Sequence, residues 1–182
     1  MKKKTVFKGA ATALITPMDE NGINYAEFSN LIEDQIKRGI NALVICGTTG
    51  EASTLNDKDH ISAIAFAAER AAHRVPIIAG AGSNDSAHGL DLAREACRVG
   101  ADALLVVTPY YNKTSQKGLI KLYTEVADVS EKPVIIYNVP SRTGLNVEPS
   151  TYAVLSEHEN IVGIKEANGN IAKITETMAL VG

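Results

Sequence analysis

Tryptophan is absent from this sequence, cysteine is rare, and no long apolar run occurs. The 182 residues contain two cysteines, and aromatic residues make up 5% of the chain. Two cysteines cannot form the dense disulfide framework of a small secreted domain. Cys46 lies in an apolar, strand-like run and Cys97 in a helical pattern. We therefore expect both thiols to be buried and reduced, in a cytoplasmic protein.

The net charge is low, because basic and acidic residues are nearly balanced. Eighteen basic and twenty-one acidic residues give a formal net charge of −3, whereas a general nucleic-acid binder needs a basic face. No apolar run approaches the roughly 20 residues of a membrane span. Met1–Lys4 resembles the basic start of a signal peptide, but Lys8, Thr12 and Thr16 interrupt the apolar stretch that should follow. We therefore expect no nucleic-acid partner and no membrane span. The four histidines show no ligand spacing, so no metal site is expected.

Six short apolar runs rich in β-branched residues recur along the whole chain. They are Ala10–Ile15, Ala42–Cys46, Pro76–Ala81, Ala103–Val107, Val134–Tyr137 and Ile161–Ile164. Their continuity and their Gly, Pro, Asn or Thr boundaries predict strands that are buried on both faces.

Helical periodicity replaces the strand pattern between these runs. Asn24 is a candidate N-cap with Glu27 three positions on, and Gly39 ends the first helix. Asn56 precedes the second helix, and Pro149 suits the first turn of a short fifth one. No linker interrupts this alternation of strand and helix patterns, so we predict six βα units in one domain over residues 1–182.

Two parallel-sheet architectures fit repeated βα units, an open sheet and a barrel. An eight-unit barrel uses roughly 31 residues per unit, so six units predict about 190 residues. An open sheet usually carries a Gly-rich phosphate loop after its first strand, whereas Thr16–Asp19 follows the first run here. The predicted fold class is therefore α/β, a (β/α)8 TIM barrel that is truncated after the sixth βα unit.

Functional residues of both architectures collect at the carboxyl ends of the strands. The segment Gly47–Glu51 reads GTTGE and follows the second run. Its hydroxyl and amide groups suit a small anion, although a plain turn capped by threonine would have the same residues. Lys165 ends the sixth run, and a desolvated lysine amine is suited to Schiff-base chemistry. The alternative role for Lys165 is an ion pair with a neighbouring carboxylate.

Three further polar positions follow the fourth and fifth runs. Tyr110 and Tyr111 are adjacent, so they point in different directions and one can pack while the other offers its phenol to a site. Tyr137 places a phenol at a strand end. Arg142 lies on the loop that follows, where it either binds a substrate carboxylate or forms a surface ion pair.

The four segments GTTGE, TPYYN, YNVPSRTG and GIKEA, in this order and spacing, resemble the dihydrodipicolinate synthase branch of the pyruvate-dependent aldolase family. The resemblance runs from about Phe7 to the end of the chain and implies a (β/α)8 barrel. Sibling N-acetylneuraminate lyases and 2-keto-3-deoxy sugar acid aldolases share the glycine loop, Tyr137 and Lys165. Arg142 and the Thr48–Thr49 pair are more similar to the synthase branch. A non-catalytic barrel fragment is the remaining alternative.

The resemblance also implies a lyase of lysine and diaminopimelate biosynthesis that needs no metal and no dissociable cofactor. It implies that pyruvate and L-aspartate 4-semialdehyde condense to 4-hydroxy-tetrahydrodipicolinate in a homodimer or homotetramer. The implied roles are Schiff-base formation for Lys165, general acid–base catalysis for Tyr137, a proton relay through Thr48 to Tyr111 of a neighbouring subunit, pyruvate binding for Thr49 and aldehyde binding for Arg142.

Overall fold

The computed structural model describes residues 3–182 as one curved parallel sheet with helices on its outer face. The elements are β1 (Ala11–Ala13), β2 (Met18–Asp19), β3 (Gly22–Ile23), α1 (Tyr25–Lys37), β4 (Ala42–Ile45), α2 (Asp57–Ala71), β5 (Ile77–Gly80), α3 (Ser86–Arg98), β6 (Ala103–Val107), α4 (Gln116–Val129), β7 (Val134–Asn138), α5 (Pro140–Thr143), α6 (Pro149–Leu155), β8 (Ile161–Glu166) and α7 (Ile171–Val181). A short 3₁₀ turn covers Ala52–Thr54.

The sheet has six strands in the order β1-β4-β5-β6-β7-β8, and every neighbouring pair is parallel. Successive residues of a strand point to opposite faces. On the outer face, Leu43, Ile45 and Ile77 belong to the large core beneath the helices. On the inner face, Val44 and Ile78 form a second cluster together with Leu105, Tyr137 and the amino-terminal residues Val6 and Phe7. This is the arrangement of six consecutive βα units of a TIM barrel, which confirms the predicted fold class.

The local signals at the helix ends are largely confirmed. The Asn24 side chain accepts a hydrogen bond from the Glu27 amide at 3.1 Å, and Asn56 caps α2 in the same way. Pro149 is the first residue of α6. In a full capping box the Glu27 side chain would also accept a hydrogen bond from the Asn24 amide. Here that amide donates instead to the carbonyl of Pro17 at 2.8 Å.

Three small elements were not predicted. They are the β2–β3 hairpin, the 3₁₀ turn at Ala52–Thr54 and helix α5. No single strand or helix among them is longer than four residues, which is less than the length over which hydrophobic periodicity can be recognised.

Both cysteines are free thiols and buried, as predicted. Burial raises the pKa of the Cys46 thiol to about 12. Within residues 3–182, no helix combines the length and the apolar character that a bilayer crossing requires. The same residues contain no group of three His, Cys, Asp or Glu side chains that could hold a metal ion.

Gly80 lets the end of β5 approach the start of the GTTGE segment. A Cβ at this position would lie 1.9 Å from the carbonyl oxygen of Cys46. This oxygen belongs to the backbone, so it cannot rotate away as the end of a side chain could. We expect Gly80→Ala to lower the free energy of unfolding by about 3 kcal/mol in a urea titration, because overpacking displaces backbone. Gly163→Ala is the matched control, since its Cβ would meet nothing closer than 3.9 Å. An equal loss in both variants would show that glycine itself, and not the close approach, matters.

The two outer strands, β1 and β8, each pair with a single neighbour within the described residues. Unpaired strand edges promote pairing between chains, and α7 adds exposed apolar side chains at Ile171, Met178 and Leu180. We expect the 182-residue chain to self-associate in sedimentation velocity as its concentration rises. Met178→Lys should reduce this association and Met178→Leu should not. A compact, monodisperse monomer at all concentrations would contradict the prediction.

Candidate active site

A cavity of about 320 Å³ lies at the carboxyl ends of the strands. The segments after β4, β6 and β7 contribute to its wall. Among the predicted site residues, Thr48, Tyr137 and Arg142 line this cavity together. The sequence analysis placed all three at strand ends, and the sheet brings them to one edge because the strands are parallel.

The GTTGE segment forms a tight turn at the end of β4. The Gly50 amide donates to the carbonyl of Gly47 at 3.0 Å, and the Glu51 amide donates to that of Thr48 at 3.1 Å. Within the described chain, the amides of Thr48 and Thr49 have no hydrogen-bond acceptor. Free amides in a turn can bind an anion, and these two residues are exposed.

Thr16 holds this turn from the first βα connection. Its buried hydroxyl donates to the carbonyl of Gly50 at 2.7 Å. In the sequence Thr16 was only a polar interruption of an apolar run, and no local signal connects it with a segment 34 positions away.

Lys165 and Tyr137 are register partners on the adjacent strands β8 and β7. The Lys165 Nζ lies over the Tyr137 ring, 4.1 Å from its centroid. The expected burial of Lys165 is wrong, because its side chain is exposed. The physical reason is that β8 pairs only with β7 among the described residues, so no further strand covers it.

The alternative role for Lys165 is also not observed. No carboxylate among residues 3–182 lies within ion-pair distance of its amine. The neighbouring Glu166 points to the other face of the sheet, where it accepts a hydrogen bond from Tyr152. Lys165 lines a second cavity on the inner face, together with Val6 and Phe7.

Helix α5 presents Arg142 to the cavity that Tyr137 and Thr48 line. The helix is anchored by the buried hydroxyl pair of Thr108 and Thr143, 3.1 Å apart. The Arg142 guanidinium is exposed and forms no ion pair within the described residues. The surface ion pair that the sequence allowed for Arg142 is therefore not observed within residues 3–182.

The adjacent tyrosines point in different directions, as predicted. Tyr110 lines the cavity, whereas Tyr111 is 91% exposed and does not. Tyr111 also has a left-handed backbone, with φ at 64°, a conformation that non-glycine residues rarely adopt. Thr49 is likewise exposed and outside the cavity wall.

Further polar residues, His60, His88 and Asp57, line the same cavity. His60 is buried and donates from Nε2 to the carbonyl of Gly80 at 2.7 Å, and burial lowers the pKa of its imidazole. His88 lies with Nε2 2.9 Å from Asp57 and Nδ1 3.1 Å from Ser83. The His60–Gly80 and His88–Asp57 contacts join separate elements, so no spacing in the sequence reveals them.

Comparisons with known proteins agree with this fold and motif set. Residues 6–182 match the Dihydrodipicolinate synthetase family. A 4-hydroxy-tetrahydrodipicolinate synthase of Thermoanaerobacter sp. (strain X514) is 52% identical over 97% of this chain and 60% of its own length. The chain therefore spans about 60% of the length of such relatives.

Solved structures give the same result. Dihydrodipicolinate synthase from Aquifex aeolicus superposes with a TM-score of 0.94 at 44% identity, over 97% of this chain and 60% of that one. The chloride-inhibited enzyme from Acinetobacter baumannii, complexed with pyruvate, has a TM-score of 0.92 at 42% identity, over 97% and 61% of the two chains. The resemblance inferred from the four motifs is thus confirmed, and this chain belongs to the dihydrodipicolinate synthetase family.

Proposed function

We propose that this chain carries the Schiff-base centre of a 4-hydroxy-tetrahydrodipicolinate synthase, a lyase that condenses pyruvate with L-aspartate 4-semialdehyde. The observation that carries the proposal is the pairing of Lys165 with Tyr137 at the ends of adjacent parallel strands, 4.1 Å from amine to ring centroid. An amine beside a phenol is suited to imine chemistry, because the amine attacks a carbonyl while the phenol exchanges protons.

In the proposed reaction, Lys165 Nζ attacks C2 of pyruvate and one water leaves, which forms an imine. Loss of a proton from C3 gives an enamine, and its C3 attacks the aldehyde carbon of the second substrate. The aldehyde oxygen takes up a proton and becomes a hydroxyl group. The amino group of the second substrate then attacks C2, and Lys165 leaves as a free amine with closure of the ring. The protonated imine nitrogen of Lys165 accepts the electron pair when C3 loses its proton, and the enamine returns that pair when C3 attacks the aldehyde.

Each of these steps moves a proton, and Tyr137 is the proposed general acid and base. Thr48 lines the same cavity and is the proposed link from Tyr137 to Tyr111. Tyr111 is 91% exposed and does not line the cavity of its own chain, so the proposed relay uses Tyr111 of a neighbouring subunit. This assignment calls for a homodimer, and a homotetramer is the expected assembly. The free thiols of Cys46 and Cys97 are compatible with the cytoplasm.

Two carboxylates need binding groups in this scheme. The free amides of Thr48 and Thr49, with the Thr49 hydroxyl, are the proposed site for pyruvate. The unpaired Arg142 guanidinium is the proposed partner for the carboxylate of L-aspartate 4-semialdehyde, because guanidinium and carboxylate form two parallel hydrogen bonds.

Borohydride reduction in the presence of pyruvate tests the proposal. A working Schiff-base centre leaves one reduced pyruvate adduct per chain in the intact mass, and a non-catalytic fragment leaves none. Turnover of L-aspartate 4-semialdehyde is then compared with that of hydroxylated sugar aldehydes. Preference for the sugar aldehydes, with trapping intact, would assign the chain to the sugar acid aldolases instead.

A further inference from the structure

A polar cluster, in which Asn138 and Tyr152 are buried and Glu166 is half-buried, lies behind the Lys165–Tyr137 pair. In the register of β7 and β8, Tyr137 pairs with Lys165 and the next residue, Asn138, pairs with Glu166. Consecutive strand residues point to opposite faces. The Asn138–Glu166 pair therefore faces the helices, while Lys165 and Tyr137 face the inner side of the sheet.

The Glu166 carboxylate is held from three directions. Asn138 Nδ2 donates to its two oxygens at 2.9 and 3.1 Å, the Tyr152 hydroxyl at 2.8 Å, and the Asn168 amide at 2.9 Å. Asn138 is itself fully buried and accepts from the Val147 amide at 3.2 Å. Burial and the carboxylate of Glu166 raise the pKa of Tyr152, so its phenol stays a donor.

This cluster matters because β8 has strand hydrogen bonds on one side only in residues 3–182. Its pairing with β7 is already irregular next to Val134 and Ile135. A strand that slips by one residue sends every side chain to the opposite face. We call the hydrogen bonds that Glu166 accepts from Asn138, Tyr152 and Asn168 the carboxylate clamp. The clamp lies at the carboxyl end of β8, next to Lys165. At the same end, the Ala167 amide donates to the backbone carbonyl of Asn138 at 2.9 Å.

We propose that Glu166 is a positioning residue: its clamped carboxylate fixes the carboxyl end of β8 so that the Lys165 amine stays over the Tyr137 ring. The inference rests on the proposed function in one respect, that Lys165 is the reacting amine. The clamp itself is independent of any substrate.

The first test therefore uses no substrate. Protons next to the Lys165 amine lie over an aromatic ring, so ring current shifts their NMR resonances upfield. Tyr137→Leu identifies this shift by removing it. We expect Glu166→Gln to lose the shift, because an amide places N–H groups against the donors of the clamp, and Glu159→Gln, at an exposed glutamate, to retain it.

The second test measures pyruvate trapping at varied pyruvate concentration. We expect Glu166→Gln to lower the maximal rate by about tenfold or more, since misplaced reacting atoms cost rate, with the half-saturating pyruvate concentration unchanged. The double variant Asn138→Asp, Glu166→Gln exchanges the amide and the carboxylate. It should restore the ring-current shift and the trapping rate in part, since Asn138 Nδ2 also donates to Asn146 Oδ1 at 2.9 Å and an aspartate cannot. A general loss of stability would not be repaired in this way.

Each outcome decides the inference. Tyr152→Phe removes a single donor and should produce a smaller change in the same direction, which keeps the test valid if Glu166→Gln does not fold. A wild-type chain that traps no pyruvate overturns the proposed function, and the ring-current shift still tests the clamp. A Glu166→Gln chain with unchanged ring-current shift and unchanged trapping overturns the positioning role.

Discussion

Lys165→Ala is expected to abolish pyruvate trapping while leaving the fold intact. The side chain is exposed and forms no ion pair within the described residues, so its removal creates neither a cavity nor an unpaired charge. Only the amine can form the imine, and no other group at the site replaces it. The measurement is the intact mass after borohydride reduction with pyruvate, followed by peptide mapping of the adduct.

Lys58→Ala is the control for this experiment, because Lys58 is an exposed lysine near the start of α2. It should be labelled as the wild type is. If the adduct maps to another lysine and Lys165→Ala is still labelled, the Schiff-base assignment is wrong.

Arg142→Ala is expected to weaken use of the aldehyde substrate and to spare pyruvate trapping. Loss of a charge-assisted, bidentate contact between guanidinium and carboxylate costs about 2–5 kcal/mol. This cost corresponds to a decrease of about 30-fold to several thousand-fold in kcat/KM for L-aspartate 4-semialdehyde. Pyruvate binding should persist, because its proposed site is the turn at Thr48 and Thr49 on a different strand end. Steady-state kinetics with each substrate varied, together with trapping, separates the two effects.

Arg94→Ala removes an arginine that pairs with Asp91 on α3, and it should leave both measurements unchanged. Arg142→Lys keeps the charge but loses the planar fork, so an intermediate loss is expected. If trapping by Arg142→Ala falls as far as turnover does, Arg142 supports the structure of the site and does not select the aldehyde.

The expected self-association bears on both experiments, because the proposed relay needs a phenol from a second chain. Tyr111 is 91% exposed and does not line the cavity of its own chain. Kinetic constants should therefore be compared at one protein concentration, with the oligomeric state measured alongside.

The sequence alone determined the six strands, their parallel order and the residues at their carboxyl ends. These features are local: β-branched runs, N-cap residues such as Asn24 and Asn56, and the turn residues of GTTGE act through neighbours in the chain. A parallel sheet then brings the carboxyl ends of all its strands to one edge, so the sequence pattern by itself groups Thr48, Tyr137 and Arg142.

Only the tertiary structure decided which residues pack around each of these side chains. Alternation along β8 separates Lys165 from Glu166, but the partners on either side come from distant segments. Tyr152 and Asn138 hold the carboxylate, while the absence of a second strand neighbour within residues 3–182 leaves the lysine exposed. Thr16 at the GTTGE turn shows the same principle, since its hydrogen bond spans 34 positions. Burial and hydrogen bonding depend on what packs against a residue, and that is set by the fold and not by adjacent sequence.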